Sequence, residues 1–123
     1  MYAAIAEMAD RSVGALCVVS EGGLVGIISE RDYARKVILL GRSSQHTTVH
    51  EIMTPSPITV TPTDTVDQCL RIMSLYRVRH LPVLDGDTLA GIVSIGDLVR
   101  AIVETQEFTI DQLQSYIAIE YPA

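Results

Sequence analysis

The sequence predicts an α/β fold made of two copies of a β-α-β-β-α type repeat, each a small sheet flanked by helices. Three observations predict it. Residues 16–38 lie over 81–103 without a gap at an offset of 65, with eight of 23 aligned positions identical. The identities include Gly26/Gly91, Ser29/Ser94 and Asp32/Asp97, a register that two unrelated hairpins sharing only an apolar pattern would not reproduce. Within each copy, short runs with strand character alternate with runs of helical apolar spacing, as layered α/β units do. Finally, 123 residues of which 48% are apolar suffice for one compact domain or two small halves.

The elements follow in order. In the first copy 16–19 reads as a strand, Glu21-Gly22-Gly23 as a turn and 24–28 as a second strand. A helix after Ser29 is expected to run to about Leu40. Upstream, Met8 lies over Met73 and Val13 over Val78, so a helix precedes each hairpin. In the second copy 64–78 carries Val66, Cys69, Leu70, Met73, Leu75 and Tyr76 near helical spacing, with Thr63 or Asp64 to cap it. Strands at 81–84 and 89–93 flank the turn Asp85-Gly86-Asp87, and Gly96-Asp97 opens a helix to about Glu104. A lead-in, 56–62, has a strand-like core at 58–60. Its counterpart would lie before Met1, so the first repeat is expected to lack its N-terminal strand.

Thr48-x-x-Glu51 is a capping box opening a short helix over 49–53, and Thr109-x-x-Gln112 repeats the device ahead of Leu113, Tyr116 and Ile117. The expected boundaries are 1–47 for the first repeat with its linker, 48–105 for the second, and 106–123 for a C-terminal helix and tail.

Charge and motif content exclude several functions. Nine Lys+Arg against fifteen Asp+Glu give a formal −6, a poor balance for gripping nucleic acid through phosphates. No basic residue follows Arg100, whereas Glu104, Glu107, Asp111 and Glu120 do. No apolar run approaches a membrane span, and 1–10 has no positive leader but carries Glu7 and Asp10. Cys17 and Cys69, without C-x-x-C spacing, fit small buried hydrophobes. A reducing, cytoplasmic setting is therefore expected. G-x-S-x-G, P-loop and GxGxxG motifs are all missing, which argues against an enzyme. His46-x-x-x-His50 has metal-compatible spacing if helical, but in a polar linker without a partner Cys it is not assigned to zinc.

The informative motif is Gly26-Ile-Ile-Ser29-Glu-Arg-Asp32 with its twin Gly91-Ile-Val-Ser94-Ile-Gly-Asp97. Singly, each Ser reads as a helix N-cap and each Asp as a first-turn carboxylate complementing the helix dipole. The Gly three residues earlier lets a ligand's flat face or a second backbone approach. A helix start attracts phosphate, and a carboxylate there can accept from both hydroxyls of a ribose. Together they form a candidate nucleotide handle.

The duplicated Gly-x-x-Ser-x-x-Asp pattern, following an apolar hairpin preceded by a helix, resembles a tandem pair of CBS domains, the Bateman module. Arg79-His-Leu-Pro-Val83 and 29–36 are similar to stretches of bacterial stand-alone two-CBS proteins. The resemblance implies repeats related by a pseudo-twofold axis, with clefts for adenine-containing ligands such as AMP, ADP, ATP, NAD or S-adenosylmethionine. It implies phosphate-side hydroxyls at Ser29 and Ser94, ribose carboxylates at Asp32 and Asp97, and a phosphate-facing pair at Arg79 and His80. Gly14 and Ala15 replace that pair in the first copy, so the two clefts are expected to be unequal. That of Ser29 and Asp32 is expected to be the stronger, because the lead-in 57–60 can supply backbone groups to an adenine there, whereas its equivalent for the other cleft would lie before Met1. Arg31 could reach the same cleft, and Ile58 on the lead-in and Val78 before Arg79 complete the ligand-binding positions. The expected function is regulatory sensing of an adenine nucleotide, without catalysis, by a homodimer acting on an unknown target protein. The alternative is a ligand-free dimerisation or interaction domain resting on helix faces such as 37–40 and 99–103.

Overall fold

The structure, a computed structural model, describes residues 1–105. The tail helix expected within 106–123 lies outside the described residues. The described residues divide into two units, one of Met1–Ile58 with Asp87–Leu89, the other of Thr59–Gly86 with 90–105.

In the first unit, α1 (Tyr2–Arg11) precedes the hairpin β1 (Ala15–Ser20) and β2 (Gly23–Ser29). Both central hairpin residues have positive φ, Glu21 at 52° and Gly22 at 79°, as a type I′ turn requires. Next come α2 (Glu30–Tyr33), a 3-10 turn (Ser44–His46), α3 (Val49–Ile52) and the two-residue β3 (Thr54–Pro55). β3 pairs antiparallel with β2, Ile27 opposite Thr54 and Gly26 opposite Pro55, giving the sheet order β1-β2-β3. Met1, Met8, Ile28, Val37, Ile52 and Met53 form its core.

In the second repeat α4 (Val66–Tyr76) precedes the two-stranded β4 (His80–Asp85) and β5 (Thr88–Ser94), followed by α5 (Ile95–Thr105). Its hairpin has positive φ only at Gly86, the first central residue, a type II′ signature rather than I′. Val60, Cys69, Leu70, Met73, Leu81 and Leu98 make the core. The 65-residue offset carries into the backbone. Val13 N–H bonds Met8 O (3.0 Å) and Val78 N–H bonds Met73 O (3.1 Å), each after a left-handed residue, Ser12 or Arg77, that ends the helix.

Three local expectations are corrected. The cap of α4 is Thr65, not Thr63 or Asp64: its hydroxyl accepts from Gln68 N–H (3.1 Å) and its own N–H donates to Gln68 Oε1 (2.8 Å). Asp64 is already committed, accepting from Thr61 N–H at 2.8 Å. The helix after Ser29 is α-helical only through Tyr33 and continues as a π turn, Ala34–Ile38, with Leu39 N–H reaching Ala34 O at 3.0 Å. Val37 on that wide turn is buried, while Ile38, Leu39 and Leu40 are exposed. The lead-in strand shrinks to one parallel bridge, Val60 opposite Val83, because the next bonds of the ladder would need N–H groups from Pro62 and Pro82, which have none. No helix among the described residues is long and apolar enough to cross a membrane.

The paired glycines serve different ends. A Cβ on Gly26 would collide with Met53 Sδ and stand 3.0 Å from the Thr54 carbonyl oxygen, whereas one on Gly91 would meet nothing within 4 Å. At Gly26 the close approach is therefore a second chain segment. Gly26→Ala is expected to cost about 1–3 kcal/mol by overpacking, and Gly91→Ala to stay within about 0.5 kcal/mol. Urea denaturation of the two variants measures the difference, and equal losses would refute it.

Candidate functional site

Each repeat ends its second strand in a serine that caps the following helix. Ser29 Oγ accepts from Asp32 N–H (3.1 Å), and Asp32 Oδ2 accepts from Ser29 N–H (2.9 Å) and Oγ–H (3.0 Å). In the second repeat Ser94 Oγ accepts from Asp97 N–H (3.1 Å), and Asp97 Oδ2 from Ser94 N–H (2.8 Å). Both pairs are reciprocal caps, which hold each carboxylate at the end of its strand. The Ser94 amide donating to Asp97 keeps its carboxyl below the usual range despite some burial, with Arg100 adding to the effect.

The second carboxylate oxygen of each pair meets a cation, and of the two only Lys36, aligned with Ala101, is passed over by repeat comparison. Lys36 Nζ lies 3.2 Å from Asp32 Oδ1, and the Arg100 guanidinium sits on Asp97 Oδ1. The signal was available as acid–base spacings of four and three residues on a helix. The environments differ: the Asp32 side chain is 16% exposed and that of Asp97 46%.

Backbone bonds set the neighbouring candidates in place. Glu30 N–H donates to Gly14 O (3.0 Å) and Ile95 N–H to Arg79 O (2.9 Å), the same tie at the 65-residue offset. In the first unit this sets Gly14 and the buried Ala15 beside the start of α2, where Arg31 is half-buried. In the second it sets Arg79 and His80, both half-buried at the start of β4, beside the helix that carries Asp97. Val78 packs on the second core. Ile58 is exposed, and Val60 spends its N–H on Pro82 O (3.0 Å) and its carbonyl on Leu84 N–H (2.9 Å). Val60 therefore has no main-chain group left to offer a ligand.

The other candidates carry less chemistry. His46 ends a 3-10 turn and His50 lies in α3, with Thr47 and Thr48 extended between them, so the helical register needed for shared metal ligation is missing. Burial pushes both the Cys17 and Cys69 thiols up, away from thiolate reactivity.

The CBS-domain family model matches residues 1–39 and 49–104. The chain is 45% identical over 122 residues to the mitochondrial CBS domain-containing protein CBSX3 of Arabidopsis thaliana, covering 95% of this chain and 59% of that relative's length. Among solved structures, a protein with CBS domains from Burkholderia ambifaria superposes with a TM-score of 0.82 at 51% identity, covering 89% of this chain and 80% of that one. The CBS domain pair of protein MJ0100, in complex with 5-methylthioadenosine and S-adenosyl-L-methionine, gives 0.75 at 31% identity, with 85% and 82% covered. CBSX2 in complex with AMP gives 0.69 at 29% identity, with 85% and 81% covered. With two matched segments, each holding a capped Ser–Asp pair, the chain belongs to the CBS-domain family and carries the domain twice.

Proposed function

We propose that this chain is a regulatory module that senses an adenine-containing ligand (AMP, ADP, ATP or NAD) and performs no chemistry of its own. CBS-domain pairs are regulatory modules, and two structural neighbours hold AMP or S-adenosylmethionine with methylthioadenosine. The observation that carries the reading is the reciprocal Ser–Asp cap, repeated at the end of the second strand in both repeats. It orients a charged carboxylate that can accept two hydrogen bonds from a vicinal diol. A ribose in place would take the oxygens now facing Lys36 and Arg100. The site of Ser29 and Asp32, the more enclosed carboxylate, is the stronger of the two.

Calorimetric titration of AMP, ATP and NAD tests this. Asp32→Ala is expected to weaken AMP binding at least about tenfold, the loss of a charge-assisted contact. The stability cost should be about 1 kcal/mol, that of a lost cap and dipole contact. Affinity unchanged alongside that stability loss would make Asp32 a cap and nothing else. A larger loss from Asp97→Ala would reverse the ranking of the sites.

A second reading, an interaction domain that pairs with a second copy, has its own support. Leu39 is 76% exposed in the first unit and Leu75 75% in the second, and apolar side chains this open favour a covering partner. Light scattering at micromolar concentration tests the homodimer. If no adenine ligand binds below millimolar, this reading replaces the first.

A further inference from the structure

We infer that Lys36 is a positioning residue that couples the carboxylate of Asp32 to the segment leaving the first repeat, so that occupancy at Asp32 is reported there. Lys36 Nζ stands 3.2 Å from Asp32 Oδ1 and donates to the carbonyl of Ile52 at 2.9 Å. That carbonyl belongs to the last residue of α3, where a helix leaves its acceptors without intrahelical partners and a cation is favoured. The same segment is held from the other side. Met53 lies against Gly26, Thr54 and Pro55 pair with β2, and β2 ends in Ser29, the residue that caps Asp32. Asp32, Lys36, Ile52 and β2 thus close a circuit around one carboxylate.

The π turn bears on this circuit. Ala34–Ile38 widens the helix at the stretch that holds Lys36, while Val37 beside it stays in the core. The second repeat lacks the device: Ala101 stands at the position of Lys36, and Asp97 is met instead by Arg100 from its own helix. Among the described residues, a link of this kind occurs in the first repeat alone.

The ligand half of the inference rests on Asp32 serving as a ribose carboxylate; the tie to Ile52 does not. A diol donating to Oδ1 displaces the ammonium, and the bond to Ile52 loosens with it. Hydrogen exchange on the full chain, followed in peptides covering 49–55, separates the two halves. Saturating AMP should speed exchange there about threefold to tenfold, the loosening of one charge-assisted bond on a partly exposed side chain. Asp32→Asn should do the same without ligand, while Asp97→Asn, which weakens the matching cap, should leave 49–55 unchanged. Lys36→Met should exchange fast from the outset and ignore AMP, and Lys36→Arg should restore the response. Wild-type exchange in Asp32→Asn, or a full AMP response in Lys36→Met, would overturn the coupling. If neither AMP nor adenosine binds, the ligand reading falls and the Asp32→Asn result alone decides the coupling.

Discussion

Replacing Met73 by alanine is expected to destabilise the protein by about 2–5 kcal/mol, the range for emptying a fully enclosed site. Met73 is 0% exposed, in a core it shares with Leu70 on α4, Leu81 on β4 and Leu98 on α5. Its removal leaves a void bordered by three elements, each anchored elsewhere, so collapse around it is restricted. Met8, its counterpart 65 residues earlier, is 1% exposed in the first unit and should behave alike. Ser74, the next residue along α4 and exposed, is the control, with an expected change within about 0.5 kcal/mol on replacement by alanine. Denaturant midpoints with unchanged slopes measure all three. A loss below about 1 kcal/mol at Met73 would show that the core relaxes to fill the space.

Met73 also shows why the fold was legible. A residue that recurs at a fixed offset, inside a helical apolar pattern in both copies, has to answer the same packing demand twice. Burial of Met8 and Met73 follows from that pattern, whereas the identical pair Leu16 and Leu81 departs from it, Leu16 being half-buried and Leu81 fully buried. Features set by meetings between distant segments were not legible. Gly26 and Gly91 are the same letter in the same register, yet only Gly26 lies under Met53 and Thr54, because β3 returns to β2 in the first unit. The π turn leaves no trace in an apolar pattern too short to separate one helical period from another. The Thr65–Gln68 cap was hidden differently. It uses the very spacing recognised at Thr48 and Glu51, but three consecutive cap-forming residues (Thr63, Asp64 and Thr65) compete, and the Asp64 carboxylate settles on Thr61. At the candidate site, identity between repeats exposed Ser29, Asp32, Ser94 and Asp97. The same criterion concealed Lys36, whose value lies in having Ala101 for a counterpart.

Arg79→Ala is expected to weaken AMP binding by about tenfold to a hundredfold and adenosine binding much less. A charge-assisted bond from a guanidinium to phosphate contributes roughly 1.5–3 kcal/mol, and 1.4 kcal/mol corresponds to about tenfold in affinity. Position favours this role. Arg79 is half-buried immediately before β4, and its carbonyl receives the N–H of Ile95, the first residue of the helix carrying Asp97. The backbone of Arg79 is thus tied to a helix start, and a guanidinium and a helix start attract the same anion. Alanine retains the backbone carbonyl that receives the N–H of Ile95, so that tie survives while the phosphate contact is lost, and the melt reads what the side chain adds to stability. Adenosine separates the two roles, since it offers the same base and ribose without a phosphate. Titrating both ligands into wild type and Arg79→Ala, with a thermal melt of each protein, gives the answer. Equal losses for AMP and adenosine would make Arg79 a structural residue, and a loss confined to AMP would place the phosphate on it.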